Sequence, residues 1–145
     1  MSLRAARRAL GKSHPAILRA RLAALTDDAP PPRLQVPPAP PALTISEEAF
    51  QTLIVDLARR FGWLVILNAD SRHTQAGVPD LLLLGGPTGR GVLWWELKKQ
   101  GGRVRPEQAA MGERLLRCGQ RWAVIRPSDW DEIVTTLTSG FPRQD

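Results

Sequence analysis

The chain has 145 residues, a hydrophobic share of 43 % and a formal net charge of +6, which suits one folded domain with a core of its own. No apolar run approaches the roughly 20 residues that span a bilayer, and the N-terminus has no apolar signal segment, so a membrane protein is not expected and a cytoplasmic one is. Cys118 is the only cysteine, which excludes an internal disulfide, and with His14 and His73 each standing alone no structural zinc site is expected.

In chain order, the first 26 residues are rich in Ala, Leu and Arg, good helix formers, interrupted at His14-Pro15 because the residue before proline avoids the α region. Residues 1–43 hold seven of the 20 Lys/Arg and two of the 14 Asp/Glu, so the positive excess lies here. A basic arm of this kind favours a polyanion such as nucleic acid. The alternatives are a solubilising tail or an Arg-rich transit peptide. We divide the chain into a basic arm (1–28), a Pro-rich, extended linker (29–43) and a folded domain (44–145).

The folded domain opens with "TISEEAFQTLIVDLARRFGW". Ser46 or Thr44 caps a helix, Glu47 and Glu48 suit its positive end, and Phe50, Leu53, Ile54, Leu57 and Phe61 recur at helical spacing up to Gly62. "WLVILN" (63–68) reads as a strand and "ADSRHTQAG" (69–77) as a polar loop. "PDLLLL" (79–84) and "GVLWWELKK" (91–99) read as strands joined by the turn "GGPTGR". "QGGRVR" (100–105) is predicted to be a flexible loop. "PEQAAMGERLLRCG" (106–119) is predicted as a helix with proline early and glycine at its end. A strand over 121–127 and a helix over 128–139, capped by Ser128 or Asp129, complete an α-β-β-β-α-β-α order. That order argues for an α/β fold with a mixed sheet. Leu115/Leu116 and Ile133/Leu137 form apolar stripes suited to a core or a dimer surface. Trp63, Trp95, Trp122 and Trp130 are expected in the core, and Trp94 either stacks or packs.

The apolar hairpin carries charge at its open end. Successive side chains along a strand alternate faces, so Val92, Trp94, Glu96 and Lys98 share one face, with Glu96 and Lys98 about 6.6 Å apart along the strand. Pairing Leu84 with Val92 sets Asp80 opposite Glu96, and a slip of one residue would separate them. Two carboxylates crowded together repel, and a divalent cation relieves the repulsion. Mg²⁺ takes oxygen ligands, commonly one or two carboxylates with waters and a phosphate. A lysine beside such a site holds a phosphate oxygen or orients a water, a set suited to phosphodiester hydrolysis. The plain alternative is a charged strand end with Asp80 and Lys98 as a surface ion pair.

Pro79-Asp80 followed by Glu96-Leu97-Lys98 matches the PD-(D/E)XK nuclease signature. Around it stand Glu47-Glu48-Ala49-Phe50-Gln51, Gly62-Trp63, Gly77-Val78-Pro79-Asp80-Leu81, Gly101-Gly102-Arg103, Pro106-Glu107-Gln108, and Gly119, Val124 and Arg126-Pro127. Over residues 46–137 this wider pattern resembles the VRR-NUC domain, a virus-type replication and repair branch of that superfamily. The resemblance implies a restriction-endonuclease-like αβββαβ core with a central mixed sheet flanked by helices. It implies a DNA endonuclease dependent on Mg²⁺, with Mn²⁺ able to substitute, and no organic cofactor. Asp80, Glu96 and the Leu97 carbonyl would be metal ligands, and Lys98 would act on the attacking water. The first helix would add an acidic residue, Glu47 by its spacing from Gln51, with Glu48 as the alternative. Gln108 matches a glutamine near the site.

Asn68, Ser71 and Arg72 precede "GVPD" in a loop that lies near the cleft in similar proteins, so Arg72 is a candidate phosphate contact. His73 reads as a loop residue. Lys99, Arg103 and Arg105 flank the Gly-Gly pair and suit phosphate contacts, or a solvated turn. Small stand-alone domains of this kind resemble phage and host proteins of replication, repair and recombination. With no helix-turn-helix or zinc finger, recognition of DNA shape (a flap, branch or Holliday junction) is expected, and cutting two strands implies a homodimer. The rival function is a non-catalytic nucleic-acid-binding or assembly protein that works through the basic arm.

Overall fold

The computed structural model describes residues 35–68, 74–89 and 91–139. The basic arm, the first residues of the linker, and Ser71, Arg72 and His73 lie outside the described residues. Of the linker, residues 35–41 carry no regular secondary structure.

The first helix, α1 (Glu47–Arg60), starts where Ser46 Oγ accepts the Ala49 N–H at 3.1 Å, which settles the cap in favour of Ser46 over Thr44. Its apolar stripe is buried through Phe50, Ile54 and Leu57. The chain reverses at Gly62, whose φ of 86° lies in the left-handed region that side chains avoid. Strands β1 (Trp63–Leu67), β2 (Leu81–Gly85) and β3 (Gly91–Leu97) form an antiparallel meander. Helix α2 (Pro106–Arg117) then carries the chain to β4 (Arg121–Ile125), which lies parallel to β3. A 3-10 turn (Pro127–Asp129) and α3 (Trp130–Ser139) close the fold. The four-stranded sheet has the order β1-β2-β3-β4 and is mixed, as expected.

Alternation along the strands sorts the two faces. Leu81, Leu83, Leu93, Trp95, Leu97 and Ile125 join the buried residues of α1 and α3 in one core. Ile133 and Leu137 are therefore core, and Trp63 is fixed there by an indole N–H donated to the Leu137 carbonyl at 3.0 Å. On the opposite face α2 packs over Trp122. The approach is so close that a Cβ on Gly112 would fall 2.3 Å from the indole, so only glycine fits. Trp94 packs on this face as well and donates its indole N–H to Gln120. Leu116 of α2 is exposed rather than core.

Three boundaries differ from expectation. β2 begins at Leu81 rather than Pro79: beyond it the Asp80 carbonyl still accepts the Asn68 N–H, but the bond to β3 is made by the Asp80 side chain instead of the backbone. β3 ends at Leu97 rather than Lys99, although the Lys98 N–H still reaches the Ile125 carbonyl at 3.0 Å. The last helix starts at Trp130, because Asp129 accepts the Arg126 N–H and tightens the preceding turn. Among the described residues, no helix is long and apolar enough to cross a membrane.

Candidate active site

The hairpin register brings the charged residues together. Leu84 pairs with Val92 and Leu81 with Trp95, so the next position sets Asp80 across from Glu96. Asp80 Oδ2 accepts the Leu97 N–H at 2.8 Å, so the side chain supplies the next rung of the ladder and its carboxylate is fixed at the end of the strand pair.

The segment before Asp80 is anchored by Asn68. Its side-chain amide donates to the Val78 carbonyl at 3.2 Å and its carbonyl oxygen accepts the Thr74 hydroxyl at 3.0 Å. Gly77 approaches α2 so closely that a Cβ would lie 2.1 Å from the Glu107 carbonyl oxygen. The Gly77 approach joins the segment that leads to Asp80 to the helix carrying Gln108.

Glu96 is 1 % exposed, Lys98 8 % and Gln108 6 %, and for the two charged side chains such burial is rare unless they are paired. The partner of Lys98 is Glu96, with Nζ 3.1 Å from Oε1. The surface pair of Asp80 with Lys98 is therefore not what forms. The Gln108 amide also donates to Glu96 Oε1, and its carbonyl oxygen accepts the Arg105 N–H at 2.9 Å. Both donors thus meet one carboxylate oxygen. Glu96 Oε2 is buried without a partner. Burial first, and then the negative charge of Asp80, push the Glu96 carboxyl up from 4.5 to about 7, against the hydrogen bond and charge of Lys98.

Glu47 is brought to the same end of the sheet, where its Oε2 accepts the Lys99 N–H at 3.2 Å. Glu48 carries no such bond to β3; its carbonyl accepts the Thr52 hydroxyl within the helix. Lys99, Arg103 and Arg105 are exposed on the loop that leaves β3, and the nearest carboxylate to Arg105 is Glu107 at 3.7 Å. The loop is better tied than its glycines suggested. Gln100 Oε1 accepts the Ser128 N–H at 3.2 Å, and the Gly102 carbonyl accepts from the Arg126 guanidinium at 3.0 Å. In the sequence Arg126 stands out only as part of the Arg126-Pro127 pattern, because its partner lies 24 residues away and no local spacing reports it.

Among the described residues, no group of three or more His, Cys, Asp or Glu stands close enough to hold a metal ion. The acidic pair nonetheless fits a hard divalent cation. Two oxygens from Asp80 and Glu96 are within the usual protein share for Mg²⁺, whose remaining positions go to water and phosphate. The unpartnered Glu96 Oε2 is a buried acceptor that a cation would satisfy.

No curated protein and no solved structure matches the chain. The profile of the VRR-NUC domain matches residues 38–129, more than half of the chain, and takes in α1, the whole sheet and α2: the chain belongs to the VRR-NUC domain family.

Proposed function

We propose that the protein is a divalent-metal-dependent DNA endonuclease that hydrolyses phosphodiester bonds, with its machinery within residues 44–145. The observation that carries this reading is the buried Lys98–Glu96 pair beside Asp80, with one Glu96 oxygen left open. A scaffold has no use for three charged groups at the end of a core hairpin. Desolvating them is costly, and an apolar replacement is often at least as stable.

In this reading Asp80, Glu96 and the Leu97 carbonyl would hold Mg²⁺, or Mn²⁺ in its place, while Glu47, which does not stand in one metal-holding group with them, accepts the Lys99 N–H. The bound ion supplies Lewis-acid stabilisation and a more acidic water. Lys98 points its ammonium toward the same space, where it orients the water or neutralises a nonbridging phosphoryl oxygen as charge builds there. The water oxygen would bond to phosphorus as the bond to the leaving sugar oxygen breaks; the water gives up a proton to solvent and the leaving oxygen takes one from it. Gln108 keeps Glu96 oriented. Lys99, Arg103, Arg105 and Arg72 contact backbone phosphates, which fixes register without reading bases.

One small domain offers little surface for sequence readout, so the substrate is a DNA shape such as a flap, branch or four-way junction in phage or host replication, repair or recombination. A homodimer would supply the second site for two-strand cutting.

The test is cleavage of labelled duplex, single-stranded, flap and four-way-junction DNA with Mg²⁺, Mn²⁺ or EDTA, wild type beside Lys98→Ala. Metal-dependent cutting that the variant loses supports the reading. Salt-sensitive binding with no cutting of any substrate overturns it in favour of a binding protein working through its basic arm.

A further inference from the structure

We infer that Arg126 is a positioning residue for Lys98, acting through the glycine turn that follows β3. The inference rests on the role given to Lys98 above. Lys98 lies beyond the last residue of β3, so its backbone is no longer held by the antiparallel ladder with β2. Its N–H is held instead by the Ile125 carbonyl at 3.0 Å, the residue immediately before Arg126. The next turn folds back on it. Gly102 N–H donates to the Lys99 carbonyl at 2.9 Å, and a Cβ on Gly102 would stand 3.4 Å from Lys98 Cβ and 3.0 Å from the Lys99 oxygen. Gly102 therefore runs beside the base of the Lys98 side chain, with little room there for a side chain of its own.

Arg126 holds that turn in place. Its guanidinium donates to the Gly102 carbonyl at 3.0 Å, and its own backbone is fixed by the N–H donated to Asp129 Oδ2 at 2.8 Å. Gln100 adds a second tie from the same turn to Ser128. A turn with two glycines has many conformations open to it. A charge-assisted bond from a half-buried arginine selects one of them. Because Lys98 is 8 % exposed and meets Glu96 over 3.1 Å, a small shift in its stem breaks alignment with the acidic pair. Misplacement by about 1 Å costs on the order of a hundredfold in rate. Arg126 touches neither carboxylate, so its effect reaches the site only through the turn.

The experiment compares wild type, Arg126→Met and Arg126→Lys in full-length protein by three measurements. These are the single-turnover cleavage rate at saturating DNA with Mg²⁺, the Kd for the same DNA in EDTA, and amide hydrogen exchange across residues 98–105. For Arg126→Met we expect a rate loss of about ten- to a hundredfold, as for groups that support site ligands from behind, with an unchanged Kd and faster exchange at Gly102. Arg126→Lys, which keeps one charged donor, should recover part of the rate and of the protection. A raised Kd with an unchanged rate would make Arg126 a DNA contact and overturn the inference. So would faster exchange with full cutting, or slow cutting in both variants with exchange as in wild type. If wild type itself fails to cut, the endonuclease reading falls, and unaltered exchange at Gly102 in Arg126→Met then rejects the clamp on its own terms.

Discussion

Asp80 and Leu97 are joined by a hydrogen bond from the Leu97 backbone N–H to Asp80 Oδ2, 2.8 Å long. The bond takes the place of a backbone rung at the open end of the β2–β3 hairpin. It commits one oxygen of Asp80 to structure, while the negative charge of the carboxylate still bears on Glu96. Asp80→Asn keeps an oxygen for the Leu97 N–H and loses the charge. We expect it to lose cleavage by at least about a hundredfold, the scale of a group that stabilises the transition state, while its melting temperature stays near wild type. Asp80→Ala should also lose about 1 kcal/mol of stability through the missing bond. Parallel cleavage and thermal unfolding separate the two effects.

The Glu96 carboxyl titrates near 7 instead of 4.5. The folded protein therefore holds a proton that the unfolded chain has already released. Stability without metal should be greatest below the lower value, fall as pH rises from 4.5 to about 7, and then level off. Urea unfolding in EDTA across that range checks the slope, and Glu96→Gln should flatten it. Divalent-ion binding needs the carboxylate, so affinity should climb over the same range, with proton uptake by the buffer in calorimetry.

Gln108 bridges the Arg105 N–H and Glu96 Oε1. Gln108→Ala leaves the Arg105 N–H without that partner and Glu96 with Lys98 alone. A rate loss of about ten- to a hundredfold is expected, with destabilisation of about 1–3 kcal/mol. Gln108→Glu should be worse for metal-free stability near neutral pH, because a third carboxylate would crowd Glu96.

Gly77 and Gly89 both have positive φ, 87° and 70°, yet their surroundings differ. A Cβ on Gly77 would collide with the Glu107 carbonyl, and one on Gly89 meets nothing within 4 Å. Gly89→Ala should cost about 1–2 kcal/mol from the backbone conformation alone. Gly77→Ala should cost more and should also slow cleavage, since the same approach ties the Asp80 segment to α2. Chemical denaturation of both variants gives the difference.

Much of the site could be read from the sequence because it rests on one local hairpin. The period of two along β3 put Glu96 and Lys98 on one face, and an assumed pairing of Leu84 with Val92, which the register bears out, set Asp80 against Glu96. Ser46 as the cap and Gly62 as the stop obey rules that act over one helical turn. What the sequence did not disclose depends on contacts between distant segments. The partner of Lys98 is Glu96 rather than Asp80, whose Oδ2 accepts the Leu97 N–H instead. The glycine loop is clamped because β4 returns beside β3 and delivers Arg126. The tight fit of Gly112 over Trp122 is set by how closely α2 approaches the sheet, which no periodicity encodes.

The mixed sheet has a consequence for the order in which the site is assembled. Asp80 and Glu96 meet through an antiparallel hairpin of short loop length, a contact that forms early because little chain entropy opposes it. The restraints on Lys98, at Ile125 and through Arg126, wait for α2 to cross over and β4 to dock. During folding, the acidic pair can thus exist while the lysine beside it is still free. Mutations in β4 should weaken the late-forming half of the site and leave the early half intact.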